Sequence, residues 1–142
     1  MGHRSGRANH EVSLRRHVLL CALVSPSDRA SALARRFVAT QHERLVTTPW
    51  VLLEFANALA KARSRSGFVA IWDVLLSSDN VDITPASDEL FQRGVELYRA
   101  RSDKDWSLTD CISFVVMKEH GITDALTGDH HFEQAGFRAV LK

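Results

Sequence analysis

The stretch DWSLTDCISFVVMKEHGITDALTGDHHF, residues 105–132, decides how the chain is read. Ser107 fits a helix N-cap, and Asp110 three residues later completes a capping box with Asp in the usual Glu place. The helix so opened runs to His120, and Gly121 supplies a left-handed stop. Asp124 to Thr127 is a short buried strand, and Asp129 stands just past its carboxyl end, where it opens a helix from Asp129 to Ala135. A strand–helix arrangement of this kind can bring Asp110 and Asp129 to one rim, where a divalent cation would hold them together.

Working outward, Phe137 to Leu141 reads as a final strand. Upstream, Leu45 to Thr47 is a strand, and Thr48-Pro49 opens a helix with Thr as N-cap and Pro at the first helical position. That helix runs through PWVLLEFANALAKAR, with Leu52, Leu53, Phe55, Ala56 and Leu59 on a broad apolar face. Gly67 separates it from a helix whose core face is Phe68, Ile71, Trp72 and Leu75. SSDN at 77–80 is a turn, Val81 to Ile83 a strand, and Thr84-Pro85 begins a helix carrying Leu90, Val95, Leu97 and Tyr98. The polar run RSDKD at 101–105 is a loop. Near the start, Arg15, Arg16 and His17 precede an apolar run from Val18 to Val24, and Arg29 to Gln41 reads as a helix. Residues 1–11 show no period and are expected to be a disordered extension, leaving 12–142 as a single domain.

Strands alternating with helices predict an α/β fold with a short, mostly parallel central sheet, whose sites gather beyond the carboxyl ends of the strands. At 142 residues one core is enough, and 45% apolar with 25% charged residues is ordinary for a water-soluble domain. A formal charge of +1 gives no basic field, so contact with nucleic acid must come from a local patch. Cys21 and Cys111 are too few for a disulfide framework and lie in apolar runs, as free thiols do in a reducing compartment. No run of about 18 apolar residues is present to span a membrane, and no secretory leader is recognisable. The expected location is the cytoplasm.

Three carboxylates have surroundings unlike those of solvent-facing charges. Glu54 lies between Leu53 and Phe55 on an apolar helix; its plain structural reading is a pair with Lys61 or an Arg. Asp110 and Asp129 each have a plain reading as helix caps. Taken together they say more, because two like charges about 4 Å apart repel by roughly 4 kcal/mol at an effective dielectric of about 20. Three such groups converge only if a cation neutralises them or one takes up a proton. Hard oxygen ligands without Cys/His spacing favour Mg²⁺ or Mn²⁺. Ser107 and Thr127 are supporting polar neighbours, Thr127 as a holder of bound water. His130 and His131, adjacent on a helix, point in different directions and read as surface or capping residues. Trp50, Trp72 and Trp106 read as core residues or loop anchors. Arg101, Lys104 and Trp106 mark the loop edge that would face RNA.

The segments TPWVLLEFANAL, SLTDCISFVVMKEHGI and ALTGDHHFEQAGF resemble the PIN domain family, which includes VapC-type toxin ribonucleases. The resemblance covers about residues 18 to 141 and implies a three-layer α/β/α domain. It assigns Mg²⁺ or Mn²⁺ binding to Glu54, Asp110 and Asp129, and implies cleavage of RNA by metal-activated water. It further implies a cognate antitoxin as partner and a homodimer. The chain departs from the family's first motif, a short strand ending in Asp followed by Thr or Ser. Counting back from Ser25-Pro26 puts that acid at Arg16, and no acid occurs from Val12 to Ser27. One permitted back-translation of Ser13 to Leu20, read one nucleotide later, restores a strand ending in Asp-Thr-Ser. The same chain without activity, retaining antitoxin or RNA binding, is the alternative reading.

Overall fold

The computed structural model describes residues 16–20 and 43–140. The expected extension at 1–11, the helix at 29–41 and Cys21 lie outside them. The described residues form five strands and five α-helices: β1 (Arg16–Leu20), β2 (Glu43–Thr47), α1 (Pro49–Ala58), α2 (Arg65–Ser77), β3 (Val81–Ile83), α3 (Asp88–Ala100), α4 (Leu108–His120), β4 (Asp124–Leu126), α5 (His130–Gln134) and β5 (Arg138–Ala139). A single 3₁₀ turn, Ala62–Ser64, joins α1 to α2.

The sheet has the order β3-β2-β1-β4-β5, and every pairing is parallel. Adjacent residues of each central strand serve opposite faces. Val18, Leu45 and Leu126 pack with Leu52 and Phe55 of α1 and Ile71 and Leu75 of α2. Leu19, Val46 and Ala125 pack on the other side with Leu90 of α3, the buried face of α4 and Phe132 of α5. This period-two division makes the fold a three-layer α/β/α sandwich, since a parallel sheet must hide both faces. The chain lays down β1, β2 and β3 in one direction, then returns to add β4 and β5 on the other side of β1. The direction of strand order therefore switches between β1 and β4, where open α/β sheets form their clefts.

Local chemistry explains most boundaries. Thr48 caps α1, its Oγ1 accepting the Val51 N–H at 3.3 Å, with Pro49 at the first position. The α1 helix stops at Ala58 instead of reaching Arg63, because Ala60-Lys61-Ala62-Arg63 offers no apolar face to bury and propensity alone does not sustain a helix. Leu53, placed on the core face from sequence, is 58% exposed. Gly67 lies in the first turn of α2 and does not precede it. Thr84-Pro85 is not a helix start; Ser87 caps α3, accepting the Leu90 N–H at 3.1 Å, and Asp88 and Glu89 favour the positive end of the helix. Tyr98 is exposed, and Gly94 with Leu90 forms the buried face of α3. A Cβ on Gly94 would stand 2.3 Å from Ile112 Cγ1, so glycine is what lets α3 lie directly against α4. Bidentate bonds of 2.6 and 2.7 Å join Arg44 of β2 to Asp82 of β3 at the sheet edge.

Candidate metal centre

The decisive stretch folds largely as its residues dictate. Ser107 Oγ accepts the Asp110 N–H at 3.0 Å while Asp110 Oδ2 accepts the Ser107 N–H at 3.2 Å, a complete capping box. Gly121 closes α4 at φ +64°. Thr127, buried past the end of β4, accepts the Asp129 N–H on its Oγ1 at 3.1 Å. Asp129 in turn caps α5, its Oδ1 accepting the His131 N–H at 3.0 Å. The capping roles foreseen for Asp110 and Asp129 are thus both present. They fix the orientation of each carboxylate and leave further lone pairs of each free.

Those carboxylates share one cleft of about 310 Å³, open beyond the carboxyl end of β4. Glu54 from α1, Ser107 and Asp110 from the start of α4, and Thr127 and Asp129 after β4 all line it, with Asp105 and His131 beside them. Glu54 is half-buried and makes no ion pair with Lys61 or with any Arg among the described residues. The Asp110 carboxylate is only 19% exposed. Burial pushes its pKa above the usual carboxylate range, and the charge of Asp129 pushes the same way; the Ser107 hydrogen bonds and His131 oppose the shift. An acid held above its ordinary pKa in a cleft lined by other acids is the electrostatic pattern of a cation seat.

His131 is the member that sequence reasoning placed elsewhere. Its Nδ1 lies 3.5 Å from Asp110 Oδ2 and 3.3 Å from Asp129 Oδ1, with the ring 20% exposed. That nitrogen is buried and has no hydrogen-bond partner, and the wholly buried Ser113 Oγ in the cleft wall lacks one too. The signal was present in sequence: side chains in a helix tilt toward its N-terminus, so the second residue after a capping Asp leans back over that cap. His130 is 64% exposed, as the surface assignment has it, yet its Nδ1 lies 3.5 Å from Asp129 Oδ1, so that Asp129, His130 and His131 form a close group of metal-capable side chains among the described residues.

Two other expectations are corrected. Arg16 does not occupy the place of the missing acid. It begins β1 opposite Glu43, whereas Leu20 pairs with Leu126 at the end facing the cleft. Four residues of strand, roughly 13 Å, separate Arg16 from that end. Trp106 does not face RNA: it is 6% exposed, donates from Nε1 to Gln134 Oε1 at 3.0 Å and packs edge-on against Phe114. Arg101 lies over the Trp106 ring at 5.1 Å and is paired with Asp103, so of the three proposed RNA-facing residues only Lys104 forms no ion pair or ring contact among the described residues. No helix among the described residues is long and apolar enough to cross a membrane.

The residues present suit a divalent cation: carboxylates lining one cleft, a disfavoured buried charge, and orphaned polar atoms in the same wall. Comparison with known proteins gives a consistent picture. A family model described as PIN domain matches residues 16–138. No curated protein matches the sequence. Among solved structures, the chain is similar to the crystal structure of Mycobacterium tuberculosis VapC20, described as a sarcin–ricin loop cleaving toxin. The two are 26% identical with a TM-score of 0.69, over 84% of this chain and 95% of that one.

Proposed function

The chain belongs to the PIN domain family, and from that premise we propose that it is a divalent-metal-dependent endoribonuclease of the VapC toxin type. The observation that carries the reading is the convergence of Glu54, Asp110 and Asp129 on one cleft beside the β1/β4 switch. Asp110 and Asp129 would hold Mg²⁺ or Mn²⁺ with Glu54 completing the set. Such an ion, when bound, makes water a stronger nucleophile and offsets charge on a phosphate under displacement. Glu54, on the α1 side of the cleft, would orient the attacking water and take its proton. Ser107 holds Asp110 in place through the capping box. Thr127 has its oxygen engaged by the Asp129 N–H, which leaves its hydroxyl proton to give to bound water or phosphate. Lys104 at the adjoining loop would meet the RNA backbone.

The similarity to VapC20, a sarcin–ricin loop cleaving toxin, supports an RNA of the sarcin–ricin type as substrate; a cognate antitoxin as partner and a homodimer as the assembly follow from the toxin-type reading itself. The reading places the protein in the cytoplasm.

A second reading rests on a specific observation, the lack of any acid from Val12 to Ser27, which leaves the end of β1 without the family's first carboxylate. On that reading the domain binds RNA or antitoxin without cutting. Incubating a synthetic sarcin–ricin hairpin with the chain in Mn²⁺ and in EDTA separates the two. Metal-dependent cleavage abolished by Asp110→Asn supports the ribonuclease; retained hairpin binding with intact RNA supports the silent module.

A further inference from the structure

We propose that His131 supplies a nitrogen ligand to the cation of this cleft, so that the site selects a first-row transition ion, Mn²⁺ foremost, over Mg²⁺. The inference deepens the reading above and rests on it. Adjacent ligands of an octahedral ion at about 2.1 Å stand roughly 3 Å apart. His131 Nδ1 stands 3.3 Å from Asp129 Oδ1 and 3.5 Å from Asp110 Oδ2, within a few tenths of that spacing from both carboxylates at once. The same nitrogen is buried and makes no hydrogen bond. A buried nitrogen without a partner is costly, and an ion bound to it and to Asp129 Oδ1, with Asp110 Oδ2 drawn in from across the cleft, would supply one.

A second feature points to a ligand independently of the imidazole. Ser113, one turn along α4 from Asp110, is wholly buried with its Oγ unpartnered in the wall of this cleft. The fold also holds His131 where it is. Its own N–H is tied to Asp129 Oδ1, and Thr127 Oγ1 fixes the Asp129 backbone, so ring and carboxylate move as one unit. The carbon skeleton of α5 is anchored below by Phe132, buried against Phe114. The chain has no acid at the end of β1 to add another oxygen, and the imidazole stands in its stead as the further donor. Imidazole suits the transition ions, whereas Mg²⁺ keeps to oxygen ligands and water.

The test uses the full chain and three variants, His131→Gln, His130→Gln and Asp110→Asn, with thermal melts confirming that each folds. Calorimetry with MnCl₂ and with MgCl₂ gives affinities, and pulsed EPR of the Mn²⁺-loaded chain reports directly bound nitrogen. His131→Gln should lower Mn²⁺ affinity roughly tenfold or more, leave the weaker Mg²⁺ affinity unchanged and abolish the nitrogen coupling, while His130→Gln leaves all three intact. Wild-type Mn²⁺ affinity or a persisting nitrogen signal in His131→Gln overturns the assignment. If that happens while Asp110→Asn still abolishes uptake, the metal site stands and only the nitrogen ligand falls. A wild-type chain that takes up neither ion overturns both.

Discussion

Replacing Asp110 by Asn should make the metal-free protein more stable while removing its response to metal. The Asn oxygen can still accept the Ser107 N–H that Asp110 Oδ2 now accepts at 3.2 Å, so the capping box survives. The charge does not. Asp110 Oδ2 and Asp129 Oδ1 each lie within 3.5 Å of one nitrogen, and so no more than about 7 Å from each other. At an effective dielectric of about 20 the two charges repel by about 2 kcal/mol, which the 41% exposure of Asp129 trims toward about 1 kcal/mol. Desolvation of the Asp110 carboxylate acts in the same direction. Asp110→Asn should therefore gain about 1–2 kcal/mol in EDTA, a rise in Tm of roughly 3–6 °C for a chain of this size. The pH dependence has a definite sign. Because the folded pKa of Asp110 is raised, the folded protein keeps this proton to higher pH than the unfolded chain does. Stability conferred by the group is thus present at low pH and is lost as pH rises through the raised value. The advantage of Asn should be full near neutrality and vanish below about pH 4, where both side chains are neutral. Saturating Mn²⁺ should reverse the order, adding about 2.7 kcal/mol to the wild type at a hundredfold excess over Kd and little to the variant. Melts from pH 4 to 8 with EDTA or Mn²⁺ measure all of this. A variant that melts below the wild type in EDTA at every pH would refute the reasoning, because Asp110 would then be a stabilising cap and no more.

Gly94→Ala should destabilise the fold by about 1–2 kcal/mol, overpacking against Ile112 outweighing the better helix propensity of Ala, as a denaturant melt will register. Arg16→Asp should leave Mn²⁺ affinity within about twofold of wild type in calorimetry, since Arg16 begins β1 at the end away from the cleft. Lys104→Glu should weaken hairpin binding and lower the salt-dependence slope by about one, with Mn²⁺ affinity unchanged, in a filter-binding titration at several salt concentrations.

The α/β class, the parallel sheet and the placing of Glu54, Asp110 and Asp129 around one cleft were legible because each rests on local chemistry: Thr48-Pro49, the Ser107–Asp110 box, Gly121 and the cap at Asp129 all announce themselves in a few residues. Where sequence reasoning strayed, the deciding force was tertiary. Nothing within α3 says that Gly94 must touch Ile112, and the residues read on this helix, Leu90, Val95, Leu97 and Tyr98, give no sign that a glycine shares its buried face. Trp106, read both as a core or loop anchor and as an RNA-facing residue, keeps only the first role, because Phe114 and Gln134 draw it inward from a polar loop. His131 looked like one of two surface histidines because adjacency was weighed and the backward tilt of helical side chains was not. The first strand misled by register: counting residues from Ser25-Pro26 put the vacant acid position at Arg16, while pairing with β4 puts the strand's carboxyl end at Leu20.

The most direct test of the central claim is paramagnetic broadening of backbone amide NMR signals by substoichiometric Mn²⁺. The signals of Ser107, Asp110, Thr127, Asp129 and His131 around the cleft should be lost early and selectively, with Asp82 at the far edge of the sheet untouched. Broadening centred anywhere else, or none, would contradict it.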